Sequence, residues 1–126
     1  MREIKFRAWL KNIEKMVEVE EINFIYEEVR FKDYETPFTK PIEINVSFKD
    51  VELMQYTGLK DKNGVKIFEG DIVKFDDNLY QIVYDDEDCS FVLSSKEEKH
   101  RVLGCWRTPK MEVIGNIYEN KELLEE

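Results

Sequence analysis

Leu53 to Phe75 reads LMQYTGLKDKNGVKIFEGDIVKF, and its regularly spaced glycines between apolar runs constrain the chain more than any other stretch. A two-residue type I′ turn needs positive φ at both central positions, which Asn followed by Gly tolerates best. Asn63-Gly64 therefore predicts a hairpin tip, with Met54 to Asp61 pairing back onto Val65 to Phe68. Gly58 and Gly70 mark two further sharp turns or close backbone approaches, because neither lies in a helical pattern. The implied unit is a compact β meander.

The remaining segments extend that pattern in both directions. Ile4, Phe6 and Ala8 alternate with Lys5, Arg7 and Trp9, the period of a strand with one buried face. Lys11 to Glu14 reads as a turn, after which Met16, Val17 and Val19 continue as the second arm of a hairpin. Val19, Ile22, Ile25 and Val29 fit helical spacing too, but the Ile, Val, Phe and Tyr content of Glu20 to Arg30 leans to strand. Lys32 to Pro41, with two prolines, reads as an irregular connection and the most mobile segment. Ile42, Ile44, Val46 and Phe48 then alternate strictly with polar residues, which predicts a one-sided strand.

Downstream, Ile72 to Phe75 and Leu79 to Tyr84 flank Asp76-Asp77-Asn78 as two antiparallel strands, and Asp85 to Asp88 forms the next turn. Cys89 to Leu93, Val102 to Trp106 and Val113 to Tyr118 supply further strands. Ser94 to Arg101 reads as a loop or one helical turn, and Pro109 lies in the turn Arg107 to Lys110. A final helical turn over Asn120 to Glu126 would use Asn120 as its cap and dock Leu123 and Leu124. Short strands at this spacing mean a mainly β protein built on a small barrel or sandwich.

Charge narrows the choice of partner. The net charge of −9 argues against a general polyanion binder, since Lys and Arg supply most non-specific affinity for phosphates. The charge is nonetheless uneven: residues 1–16 and 94–111 are basic, whereas residues 69–88 are strongly acidic. Such polarity suits contacts with a complementary protein or with a second copy of the chain. The longest run without Asp, Glu, Lys or Arg is seven residues, too short for a membrane span, and the charged N-terminus lacks the apolar core of a secretory signal. A cytoplasmic location is the expectation. There Cys89 and Cys105, with no Cys or His beside them at metal-ligand spacing, read as free thiols buried as small hydrophobes.

No residue set points to catalysis. The single histidine, His100, sits in the charge run KEEKHR, where a general base would need a nucleophile and an orienting group in a cleft. Asp85, Asp86, Glu87 and Asp88 lack the alternating spacing and the glycine of a calcium loop, so an acidic turn is the better reading. Gly58, Gly64 and Gly70 are too widely spaced for a phosphate cradle. Thr57-Gly58 to Gly70-Asp71 could present a binding loop, but each of its glycines has a backbone reason to be there. Trp9, Tyr56 and Trp106 are candidates for an aromatic recognition surface, although core packing is the stronger reading for each. No catalytic, cofactor-binding or metal-binding residue is assigned, and no cofactor is expected.

REIKFRAW at residues 2–9, QYTGLKDKNG at 55–64, IFEGDIV at 67–73 and EVIGNIYEN at 112–120 resemble the YopX family of small bacteriophage and prophage proteins. The resemblance implies a small N-terminal β subdomain, residues 1–52, followed by an SH3-like barrel, residues 53–126. It implies no activity and supplies no site residues. Two functions follow as expectations. The first is a non-enzymatic interaction module that self-associates or contacts a host or phage protein. The second is a nucleic-acid-associated factor using the basic segments 2–15 and 96–110 with Trp106.

Overall fold

A computed structural model describes residues 2–34, 40–96 and 101–124, with Arg101 described by its backbone only. Twelve strands and three short 3-10 turns make up these residues, so the chain is mainly β. It divides into two compact units: Lys5–Gln55, and Tyr56 onward together with the N-terminal residues up to Ile4. The division falls inside a strand, where the sequence reading drew it at 52/53.

In the first unit, β1 (Phe6–Leu10) and β2 (Lys15–Glu18) form the expected hairpin, with Ala8 opposite Val17. On its other side β1 pairs with the first half of β6 (Val51–Lys60), Ala8 facing Leu53. Ile4 does not share the buried face expected of it and is exposed. Glu20 to Arg30 is extended, as its β-branched and aromatic content implies, but it is interrupted. β3 (Glu21–Asn23) turns back into β4 (Glu28–Asp33), which pairs with β5 (Ile42–Ser47). Val29 and Phe31 of β4 join Ala8, Leu10 and Val51 in a core, against which Ile44, Val46 and Phe48 pack as their alternation requires. Of the irregular connection expected at Lys32 to Pro41, Lys32 and Asp33 end β4 and residues 35–39 lie outside the described ones.

In the second unit, the rest of β6 pairs with β7 (Lys66–Phe68). β8 (Asp71–Phe75), β9 (Asn78–Asp85), β10 (Ser90–Ser94), β11 (Arg101–Val102) and β12 (Glu112–Asn116) form an antiparallel sheet ordered β11-β10-β9-β8-β12. Ile67, Val73, Phe75, Tyr80, Ile82, Leu93, Leu103 and Met111 form its core. The strands expected at Val102–Trp106 and Val113–Tyr118 are shorter than their apolar runs. β11 ends at Val102, because Gly104 accepts from the amides of Arg107 and Thr108 and turns the chain. β12 ends at Asn116, whose side-chain oxygen accepts from the amides of Tyr118 and Glu119. The final turn is a 3-10 turn, Lys121–Leu124, and Asn120 does not cap it with its side chain: that oxygen accepts from the amide of Asn116. Residues 97–100, where a loop or helical turn was expected, lie outside the described ones.

The central hairpin forms where Asn63-Gly64 placed it, with a different turn. Asp61 and Val65 close a loop over Lys62, Asn63 and Gly64, and only Gly64 has positive φ, at 78°. This is a type I turn followed by a left-handed glycine, the commonest three-residue hairpin. The type I′ geometry appears instead at Asp76-Asp77, where Phe75 pairs with Asn78 and both central residues have positive φ, 50° and 61°. Neither residue there is glycine, so the turn holds strain that glycine would release. Asp77→Gly is expected to raise stability by about 0.5–1 kcal/mol, and Asp77→Val to lower it, in urea unfolding followed by fluorescence.

Candidate interaction surface

Hairpin tips are ordinarily built from Gly, Asn, Asp and Ser. The β3–β4 tip is Phe24-Ile25-Tyr26-Glu27, and its first three residues are 77%, 87% and 73% exposed. Asn23 makes this possible. Its Oδ1 accepts from the amides of Ile25 and Tyr26, at 2.9 and 3.0 Å, so a side chain supplies the turn's hydrogen bonds and the tip residues are free to be apolar. Glu27 follows with φ of 54°, and its carbonyl accepts from the amide of Phe48 at 2.8 Å, which ties the turn to the end of β5. The Phe24 ring meets Phe48 edge-on, at a centroid distance of 6.2 Å. The tip is thus a held projection with apolar side chains outward.

Its flanks are charged. Beside Tyr26 a hollow of about 260 Å³ runs along the outer face of β3 and β4 between Glu21, Glu28, Arg30 and Asn45. Arg30 bridges Glu21 at 2.6 Å and Glu43 at 3.6 Å, so its charge does not make that face basic. Sequence reasoning missed the tip because Glu20 to Arg30 was read as one extended element. The available signal was Asn23 followed by an apolar triplet and two glutamates.

The residues singled out from the sequence have other roles. Asp61 is buried, and its carboxylate accepts from the amides of Asn63, Val65 and Val113 at 2.8–2.9 Å. Thr57 Oγ1 donates to the Ile67 carbonyl at 2.7 Å across the irregular register of β6 and β7, where Gly58 has φ of 90°. Thr57 and Asp61 in the 55–73 stretch therefore bind backbone groups, and Lys62 and Lys66 pair with Glu112 and Glu3 at 3.4 and 3.1 Å. Tyr56 is buried against Phe68, with ring centroids 5.5 Å apart, and Trp9 is half-buried. Trp106 departs from the core reading: it is 64% exposed, lying over Gly104 with the Arg107 guanidinium 5.5 Å from its ring. Both cysteines are free as expected but exposed, because each sits on a turn and not in a strand. His100 lies outside the described residues.

The 85–88 turn is closed by Asp85, whose Oδ1 accepts from the amide of Glu87 at 3.0 Å. Among the described residues no group of His, Cys, Asp and Glu is placed to hold a metal ion, and no helix is long and apolar enough to cross a membrane. In the basic segment 2–15, Lys5 pairs with Glu18 at 3.4 Å and Lys11 with Glu52 at 3.2 Å. In 96–110, residues 97–100 are not described, and Arg107 donates to the Val102 carbonyl.

Thr57, Asp61, Asn116 and Asn120, whose side chains bind backbone groups, fall in the blocks QYTGLKDKNG and EVIGNIYEN. The model of the YopX protein family matches residues 5–125. The chain belongs to the YopX family. Among solved structures, protein EF1440 from Enterococcus faecalis is similar at 29% identity and a TM-score of 0.69, over 99% of this chain and all of that one. Protein yopX from Bacillus subtilis is similar at 20% identity and a TM-score of 0.59, over all of this chain and 98% of that one. No curated protein matches the chain. The exposed tip at 24–26 lies inside the matched range and outside the four blocks that carry the resemblance.

Proposed function

We propose that this YopX-family chain is a non-enzymatic protein-interaction module that self-associates through the Phe24-Ile25-Tyr26 tip. It acts in the cytoplasm of a phage-infected or lysogenic bacterium. One observation carries the reading: three consecutive large apolar side chains stand out on a turn whose backbone is already satisfied by Asn23. Phe24 keeps an edge contact with Phe48 but all three side chains remain largely exposed, whereas burying each against a partner is worth about 1.5–3 kcal/mol. The acidic residues around the tip favour a partner surface carrying Lys or Arg, which this chain itself has. The SH3-like reading of 53–126 is supported by the order β12-β8-β9-β10-β11 and by the 3-10 turn Thr108–Lys110 before β12.

Light scattering at micromolar concentration tests the proposal. The wild-type chain is expected above its monomer mass of 15.2 kDa, and Ile25→Asp is expected to weaken association at least tenfold without changing the circular dichroism. A wild-type monomer mass at both low and moderate salt would sink self-association. A second reading, a nucleic-acid-associated factor, has exposed Trp106 beside Arg107 in its favour and the Lys5 and Lys11 ion pairs against it. Fluorescence anisotropy with a single-stranded oligonucleotide at low salt separates the two.

A further inference from the structure

The tip of the central hairpin carries a reactive pair of residues. An asparagine side chain can be attacked at its Cγ by the backbone nitrogen of the next residue, and glycine, with no Cβ to block the approach, hinders this least. Asn63-Gly64 is the single Asn-Gly pair of the chain. Both residues are exposed, and a side-chain carbon built on Gly64 would meet nothing within 4 Å. Among the described residues the Asn63 side-chain amide makes no hydrogen bond, so nothing holds it away from Gly64.

The backbone around the pair is held, and chiefly by one residue. The Asp61 carboxylate accepts from the amide of Asn63 at 2.8 Å and from that of Val65 at 2.9 Å, one on each side of Gly64. The Gly64 amide itself donates to the Asp61 carbonyl at 3.1 Å. That bond must break before the Gly64 nitrogen can attack. Local opening of the loop therefore precedes the reaction, and the free energy that Asp61 contributes to the loop sets how often it opens.

We infer that Asn63 is a site of spontaneous deamidation whose rate is controlled by the Asp61 carboxylate. Hydroxide takes the Gly64 amide proton, and the nitrogen so exposed forms a bond to Asn63 Cγ. The bond from Cγ to Nδ2 then breaks, and the leaving nitrogen takes a proton from water and departs as ammonia, which regenerates the hydroxide. Water opens the resulting succinimide at one of its two carbonyls, leaving aspartate or isoaspartate at position 63. Either product places a new carboxylate close in sequence to Asp61. Isoaspartate also lengthens the backbone by one carbon inside the loop, so the amides on either side of Gly64 no longer fit the Asp61 carboxylate together.

The test incubates the native full chain at mildly alkaline pH beside the same chain in urea, Asp61→Asn and Asn63→Gln. It reads ammonia released, intact mass and a peptide map that separates aspartate from isoaspartate. Folded wild type is expected to lose the Asn63 amide as ammonia, to carry both products at position 63, and to react faster as pH rises. Asp61→Asn, with its fold checked by circular dichroism, should react about tenfold faster than wild type, and the chain in urea at least as fast as that variant. Asn63→Gln should leave position 63 unchanged. Wild type that keeps Asn63 intact while the chain in urea is converted would overturn the inference, as would Asp61→Asn reacting at the wild-type rate.

Discussion

Asp61→Ala is expected to destabilise the protein by about 3 kcal/mol. The carboxylate is 6% exposed and collects the amides of Asn63, Val65 and Val113. Two of these shape the hairpin loop, and the third belongs to β12, 52 residues away. Alanine leaves all three donors to find water or go unpaired, and the Val113 amide is the worst placed to do so. Asp61→Asn separates the contributions. Its amide oxygen can still accept within the loop, but its NH₂ group faces the Val113 N–H, donor against donor, so a loss of about 1.5–2 kcal/mol is expected. Urea unfolding of the two variants beside wild type measures both numbers. Equal stability of all three would show that the carboxylate ties nothing together.

The same site sets a pH dependence. Burial opposes ionisation of Asp61, but the hydrogen bonds from Val113, Val65 and Asn63, helped by Lys62, outweigh it and hold the carboxyl below its ordinary value of 3.8. A folded-state value below the unfolded one means the stabilisation is fully present above 3.8 and is lost as pH falls through the folded-state value. The acid limb of stability against pH should therefore be shallower in Asp61→Asn than in wild type. An unchanged limb would place the acid sensitivity on other carboxylates.

Tyr80→Ala is expected to cost about 3–5 kcal/mol, chiefly through the cavity it opens. Tyr80 is among the largest fully buried side chains, 1% exposed, with its ring 6.4 Å from that of Phe75 across the β8–β9 hairpin. Its neighbours Ile82, Leu93 and Met111 come from β9, β10 and the approach to β12, so the cavity would open where several elements meet. Tyr80→Phe keeps the packing of the ring and isolates the contribution of the hydroxyl. A fall in denaturation midpoint for alanine no larger than for phenylalanine would show that the site collapses around the gap.

Much of this fold was legible because strands announce themselves by period. Ile42 to Phe48 alternates without a break, and Ile42–Ser47 is β5, with Ile44, Val46 and Phe48 against the core and Ile42 exposed at its start. Glu20 to Arg30 was legible as extended from its composition, but the turn inside it was not. What makes that turn is a side chain, Asn23 Oδ1, accepting two amides, and the apolar triplet it supports resembles strand sequence. Cys89 and Cys105 looked like core residues because free cysteine usually is. Each falls instead where a strand has just ended or not yet begun.

The sequence by itself determined that the chain is mainly β, where its principal hairpin lies, and that it resembles the YopX family. These follow from local period, from glycine's access to positive φ, and from motifs that survive as linear text. Only the tertiary structure decided which turn that hairpin adopts. Asn63-Gly64 would serve a two-residue turn, but the Asp61 carboxylate is shared with Val113 of β12, and satisfying both at once favours the longer loop. The two-residue turn went to Asp76-Asp77, where pairing of Phe75 with Asn78 leaves the chain no other way to reverse. Exposure was decided at the same level: whether Phe24, Ile25 and Tyr26 are core or surface depends on what packs over them, and among the described residues they keep little beyond the edge contact of Phe24 with Phe48.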